Sequence, residues 1–222
     1  LINDVRPLDK KKLPRTVDRF VSLGVATDAE LPKKISNPKL IANKKNALAT
    51  LKRLEKEKNQ SKILGLCPGA EYGESKRWPV EHYAEVANAA LKKGWNVWLF
   101  GSEKDISITN AINTLCSQQC LDLGGKTKLG EAIDVMSLCD AVISNDSGLM
   151  HVAAALGKKL VTIYGSSDPR HTPPMGSKAV IEYLGLACGP CFERTCPLKA
   201  ADQQMKCLKD IRPERVISHI KL

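Results

Sequence analysis

Residues 141–156 read AVISNDSGLMHVAAAL. Ala141, Val142 and Ile143 form a short apolar run of the kind that a parallel strand buried on both faces requires. Leu149, Val152, Ala153 and Leu156 then recur at helical spacing, so the chain turns from strand to helix across Asn145, Asp146, Ser147 and Gly148. Asp146 or Ser147 can serve as N-cap. Gly148 carries no side chain, which leaves backbone N–H groups of the first helical turn open to an incoming anion. His151, four residues after Ser147, falls on the same face and adds a ring donor. An isolated D-S-G is more often an ordinary capped helix. The histidine one turn in and the small run Val152-Ala153-Ala154-Ala155 narrow the odds between that reading and a phosphate cradle.

Outward from this stretch the same alternation recurs. Ile63 to Cys67, Trp95 to Phe100, Leu121 to Leu123 and Leu160 to Tyr164 read as strands; Val80 to Lys93, Glu103 to Leu115 and Gly130 to Leu138 read as helices. Strands and helices alternating at these lengths predict right-handed crossovers and an α/β fold, a Rossmann-like parallel sheet covered by helices. That domain is expected over residues 61–222, with a Cys-rich loop and a helix at its end. Before it, Thr16 to Gly24 reads as a short amphipathic helix and 27–42 as a proline-broken linker. Asn43 to Lys58 reads as a helix with Leu48, Leu51 and Leu54 on one side.

Ligands of such sheets bind beyond the carboxyl ends of the strands, which directs attention to the loops after Cys67, Phe100, Ser144 and Tyr164. The first, PGAEYGESKRWP over 68–79, has two glycines for a pliable turn and two cations, Lys76 and Arg77. A lysine there can reach a phosphate over the sheet edge, though two solvated loop cations are an equal reading. In the second, Gly101-Ser102-Glu103-Lys104-Asp105, the carboxylates either complement a helix dipole or accept bonds from ribose hydroxyls. Gly165-Ser166-Ser167-Asp168-Pro169 turns toward the same edge. Cations, N–H groups and a carboxylate at one rim are what a nucleoside diphosphate needs. Other nucleotide and hydrolase signatures fail. Gly125-Lys126-Thr127 resembles the end of a P-loop, but Cys120 stands where its first glycine should be. No G-x-G-x-x-G follows a strand, and neither G-x-S-x-G nor H-E-x-x-H occurs.

The 222 residues are 43% apolar and carry a net charge of +10, most of it before residue 63, where 16 Lys/Arg face 7 Asp/Glu. Such a basic stretch is usually a solvated face, and it also favours an anionic lipid or acidic acceptor. Nucleic acid is disfavoured, because aromatics are only 5% and are not interleaved with the charge. No segment has the apolar length of a membrane span. The opening Leu-Ile-Asn-Asp-Val-Arg lacks an initiator Met and a signal pattern, so a fragment or processed product is expected. Of eight cysteines, Cys188, Cys191, Cys196 and Cys207 form C-x2-C-x4-C-x10-C. That spacing admits a structural zinc as well as reduced structural thiols.

PGAEYGESKRWP, FGSEKD, SNDSGLMHVAAAL and YGSSDPRHTPP, in this order and at these separations, resemble the ADP-heptose:lipopolysaccharide heptosyltransferases of glycosyltransferase family 9, nearest their heptosyltransferase II branch. The resemblance implies the GT-B architecture, two Rossmann-like domains facing a cleft, and an inverting transfer of heptose from ADP-heptose to a lipopolysaccharide core acceptor. It implies no required cofactor and a cytoplasmic site of action at the inner face of the inner membrane. By similarity, Lys76 neutralises the diphosphate, Glu103 holds the ribose, and Thr127 contacts the nucleoside. The Ser147 and Gly148 amides cradle the phosphates with His151 in support, and Asp146 touches the sugar hydroxyls. Glu71 and Tyr72 join the expected nucleotide-sugar contacts. Lys76 and Asp146 are the expected catalytic residues of this chain. The same resemblance places Leu1 near the end of an N-terminal acceptor domain, makes 1–60 the tail of that domain plus linker, and leaves the missing N-terminal domain to supply the catalytic base.

Overall fold

Alternation along each apolar run sorts the strand side chains onto two faces of one sheet. A computed structural model describes residues 4–27, 29–56, 59–176 and 179–221. The strands are β1 (Ile63–Cys67), β2 (Asn96–Leu99), β3 (Leu121–Asp122), β4 (Ala141–Asn145), β5 (Lys159–Ile163) and β6 (Ala179–Glu182). All pair in parallel, in the order β3-β2-β1-β4-β5-β6. This is the doubly wound order, with the chain reversing its direction of travel between β1 and β4.

The helices are α1 (Thr16–Leu23), α2 (Lys44–Arg53), α3 (Val80–Lys92), α4 (Ile106–Leu115), α5 (Leu129–Met136), α6 (Gly148–Ala155), α7 (Lys206–Lys209) and α8 (Pro213–Ile220). Leu64, Leu66, Val97, Leu99, Ile143 and Ile163 are buried in one core with α3, α4 and α8. Ile63, Trp98, Val142 and Leu160, one residue out of step, are buried in the other with α2, α5 and α6. A slip of one residue in any strand would exchange the two sets, so the pattern fixes the register.

Three local features differ from the sequence expectation. The stretch from Glu103 opens as a 3-10 turn (Glu103–Asp105) before α4, because Asp105 accepts from both the N–H and the hydroxyl of Ser102 and tightens the entry. β6 has no clear apolar signature, since it ends in Glu182. That carboxylate is only 1% exposed and is matched by Arg215 at 2.5 Å and His219 at 2.6 Å, both from α8. The helix read from Asn43 ends at Arg53, and its expected last residues 57 and 58, like Leu1, lie outside the described residues.

α2 is part of the sheet's packing. Ala47 and Leu51 are buried in the core that α2 shares with α5, the Asp134 carboxylate accepts from the Asn43 N–H at 2.7 Å, and Arg53 pairs with Glu131 at 2.9 Å. No described helix is long and apolar enough to cross a membrane. Leu51→Ala is expected to lower the unfolding free energy by about 3 kcal/mol. Leu48→Ala, at a 45% exposed position of the same helix, is expected to change it by less than about 0.5 kcal/mol. Urea denaturation of the two variants checks both values.

Candidate functional site

The loops that leave the carboxyl ends of β1, β2, β3 and β4 surround a cleft of about 560 Å³. Its polar rim is formed by Gly69 and Glu71, Ser102 and Asp105, Thr127, and Ser147 and Gly148. One wall is apolar, built from Leu129 and Ala132 of α5 and Leu149 and Val152 of α6. Gly69 lets the Asp105 carboxylate approach the loop backbone, since a Cβ there would require that side chain to shift.

The long first loop is pinned from beneath. Asn145, fully buried at the end of β4, donates to the Pro68 carbonyl at 2.6 Å and accepts from the Trp78 N–H at 3.1 Å and the Tyr83 hydroxyl at 3.0 Å. One side chain thus ties both ends of 68–79. Between those ends, Lys76 closes an ion pair with Asp146 at 2.6 Å, and Ser167 donates to the same carboxylate oxygen at 2.6 Å. Both charged side chains are largely out of water, at 16% and 5% exposure. Tyr72 lies against two cations, Lys76 at 4.9 Å and Arg194 at 5.0 Å from the ring centroid.

Arg194 belongs to the Cys-rich loop, which straps the first loop down. Its carbonyl accepts from the Ser75 N–H at 3.1 Å, the Ser75 hydroxyl bonds the Glu193 carbonyl, and Tyr72 bonds that of Phe192. A Cβ at Gly73 would strike the Arg194 carbonyl.

At the start of α6, Ser147 occupies the N-cap position in extended conformation, but its hydroxyl caps nothing and meets Ser144 Oγ at 3.3 Å. The helix N-terminus therefore opens into the cleft without a side-chain acceptor among the described residues, the arrangement suited to an external anion. His151 stands exposed on the first turn, yet surrounding protein removes enough water from its ring to lower its pKa below the ordinary 6.5. Asp146 opposes that shift and Lys76 adds to it.

Of the residues singled out in the sequence, Glu71, Thr127, Ser147 and Gly148 line the cleft, while Lys76 and Asp146 form the ion pair and Tyr72 covers its lysine. Glu71 also pairs with Lys104 at the rim. Glu103 is exposed and is not among the residues lining the cleft; the carboxylate that lines it from this turn is Asp105. The four clustered cysteines are free thiols. Burial first, then the neighbouring Cys188, Cys196 and Cys191, push the Cys207 thiol up to about 11. Among the described residues, no group of three or more His, Cys, Asp or Glu side chains is disposed to hold a metal ion. Sequence reasoning missed Asn145 and Arg194, and reached Ser167 only as part of the 165–169 turn. Asn145 had a signal: an amide closing a strand that opens with an apolar run must find partners once buried. Arg194 had none, because its contacts lie about 120 residues away along the chain.

The model of glycosyltransferase family 9 (heptosyltransferase) matches residues 1–202. The chain belongs to this family. It is 38% identical to lipopolysaccharide heptosyltransferase 2 of Escherichia coli K12 over 229 residues, 99% of this chain and 64% of that protein. It is 41% identical to lipooligosaccharide heptosyltransferase 2 of Haemophilus influenzae over 192 residues, covering 82% of this chain and 55% of that one. Among solved structures, E. coli ADP-heptose lps heptosyltransferase II superposes with a TM-score of 0.84 at 36% identity, over 99% of this chain and 65% of that chain. A family 9 glycosyltransferase of Veillonella parvula shares the fold with a TM-score of 0.74 at 22% identity, over 97% of this chain and 61% of that one. The chain thus spans less than two thirds of the length of these relatives.

The environment of His151 gives a titration with a definite sign. Its pKa is expected below 6.5, and to fall further in Asp146→Asn, which removes the opposing carboxylate, but to rise in Lys76→Ala. Because the folded-state value is the depressed one, this residue's share of stability is complete above 6.5 and is lost as pH falls through the folded pKa. NMR titration of the imidazole ring protons in the three proteins measures the order directly.

Proposed function

We propose that this chain binds ADP-heptose and supplies the donor side of an inverting heptosyltransferase that extends the lipopolysaccharide core. The observation that carries the reading is the uncapped N-terminus of α6 opening into a cleft beside the Lys76–Asp146 pair. The Ser147 and Gly148 amides take the diphosphate, with Lys76 adding positive charge and His151 a ring N–H donor. The apolar wall of Leu129, Ala132, Leu149 and Val152 accepts the flat base, with Thr127 at its edge. Asp105, which lines the cleft, shares with Glu103 the proposed task of meeting the ribose hydroxyls. Asp146, oriented by Ser167, is left to face hydroxyls of the sugar.

In transfer, an acceptor oxygen bonds to the anomeric carbon as the bond to the β-phosphate breaks, and negative charge develops on the departing ADP. Lys76 and the α6 amides oppose that charge where it grows, which is the interaction that lowers a barrier rather than merely tightening binding. The acceptor hydroxyl must give up its proton to a base, a role assigned here to the N-terminal domain of the GT-B architecture. These steps invoke no cofactor. Work at the cytoplasmic face of the membrane fits the basic segment before residue 63.

The reading predicts that calorimetry detects ADP and ADP-heptose in preference to UDP and UDP-glucose. Lys76→Ala should weaken ADP binding by about 1.5–3 kcal/mol, the range of a charge-assisted bond. Equal affinity for the four ligands, or for ADP in the variant, removes the assignment.

For Cys188, Cys191, Cys196 and Cys207 we favour reduced thiols that pack the strap, with a structural zinc as the alternative drawn from the C-x2-C spacing. Metal analysis of the purified chain is expected to return no stoichiometric zinc, and chelator no loss of stability. One zinc per chain, removed together with stability, would establish the alternative.

A further inference from the structure

A second cavity lies one strand further along the same sheet edge. Residues 10–19 close over the turn that follows β5 and leave a pocket of about 470 Å³, lined by Lys10, Arg19, Arg170, His171 and Phe192 together with Pro14 and Asp168. The two segments are stitched together. The Thr16 N–H donates to the His171 carbonyl at 2.9 Å, and His171 Nδ1 meets the Pro14 carbonyl at 3.0 Å. Arg19 donates to the Leu13 carbonyl at 3.0 Å and holds the N-terminal segment in its curve.

The charge in this pocket is one-sided. Its single lining carboxylate, Asp168, is engaged by Arg170 through both Nε, at 3.0 Å, and the terminal nitrogen, at 2.8 Å. Among the described residues no carboxylate pairs with Lys10 or Arg19. The remaining wall is Phe192, 47% exposed and edge-on to His171 with ring centroids 6.2 Å apart. An aromatic surface beside unmatched cations is the chemistry that receives an anionic saccharide, the ring against C–H groups and the cations on a carboxylate or phosphate. Its position is also specific, because Asp168 directly follows Ser167, whose hydroxyl bonds Asp146. One turn thus serves both places, Ser167 bonding the carboxylate of the Lys76–Asp146 pair and Asp168 lining this pocket.

We propose that this pocket holds an anionic group, carboxylate or phosphate, of the acceptor saccharide, and thereby presents the acceptor to the donor sugar. The proposal rests on the donor-cleft reading above and adds the acceptor's charge as a recognition element. Its failure is separable from that reading, because Lys10 and Arg170 lie outside the donor cleft and leave ADP binding as a control.

The test titrates the full chain, by calorimetry and amide NMR, with a deacylated lipopolysaccharide core oligosaccharide in its native acidic form. The same oligosaccharide with carboxyls reduced and phosphates removed, and inorganic phosphate alone, serve as comparisons. The expected result is binding of the acidic form with shifts at Arg170, His171 and Phe192. Affinity should fall by about tenfold or more for the neutralised form and in Lys10→Glu/Arg170→Glu, with ADP affinity unchanged. Lys10→Ala/Arg170→Ala, which also leaves Asp168 unmatched, repeats the test if the reversed charges disturb folding. Equal binding of the neutral form, undiminished affinity in a folded variant, or shifts confined to another surface would overturn the proposal. Inorganic phosphate matching the oligosaccharide would likewise overturn it. Charge-dependent oligosaccharide binding without any ADP binding would support this pocket and defeat the donor reading alone.

Discussion

The carboxyl edge of the sheet depends on the buried amide of Asn145. A primary amide placed where the strand has no water must saturate its hydrogen bonds or cost several kcal/mol. Asn145 does so by taking the backbone at both ends of the first loop, at Pro68 and Trp78, with the Tyr83 hydroxyl completing its oxygen. The loop is thereby held like a clasp over β4, and Lys76 near its middle has little choice but to face Asp146. Because Asn145 and Asp146 are adjacent, the group that holds the loop and the group that receives its lysine move together.

The Cys-rich loop adds a second restraint from above. Phe192, Glu193 and Arg194 touch the sheet edge at three places: the Phe192 N–H on the Ser166 carbonyl, Ser75 on the backbone of Glu193 and Arg194, and Tyr72 between Lys76 and Arg194. The same short segment thus touches the aromatic that covers Lys76 and supplies the phenyl wall of the cationic pocket.

Period and punctuation made the sheet legible. β1 is read residue for residue, the helix before Gly94 ends within one residue of its reading, and the strand-to-helix turn at 145–148 stands where a continuous apolar run gives way to helical spacing. Harder to read were elements whose stability is not local. β6 ends in a glutamate that belongs in the core only because α8 returns Arg215 and His219 to it, and α2 joins the core through α5, some eighty residues away. The site divides similarly. Ser147 and Gly148 follow from the end of β4 and Thr127 from the family resemblance, whereas which carboxylate of 103–105 lines the cleft turns on a tight 3-10 entry that the loop's composition does not specify.

The Lys76–Asp146 pair carries a consequence for how an anion is received. A lysine held over solvent must be immobilised at the moment of binding, which costs side-chain entropy. Here that restriction has already been imposed by folding, through Asp146 on one side and the Tyr72 ring on the other. The pair is close to neutral as a unit, so the cleft does not repel its own α6 dipole while empty. An ammonium has three donors and Asp146 occupies one. A diphosphate can therefore engage the lysine without displacing the carboxylate, and Ser167, already on that carboxylate, keeps it from swinging toward the incoming charge.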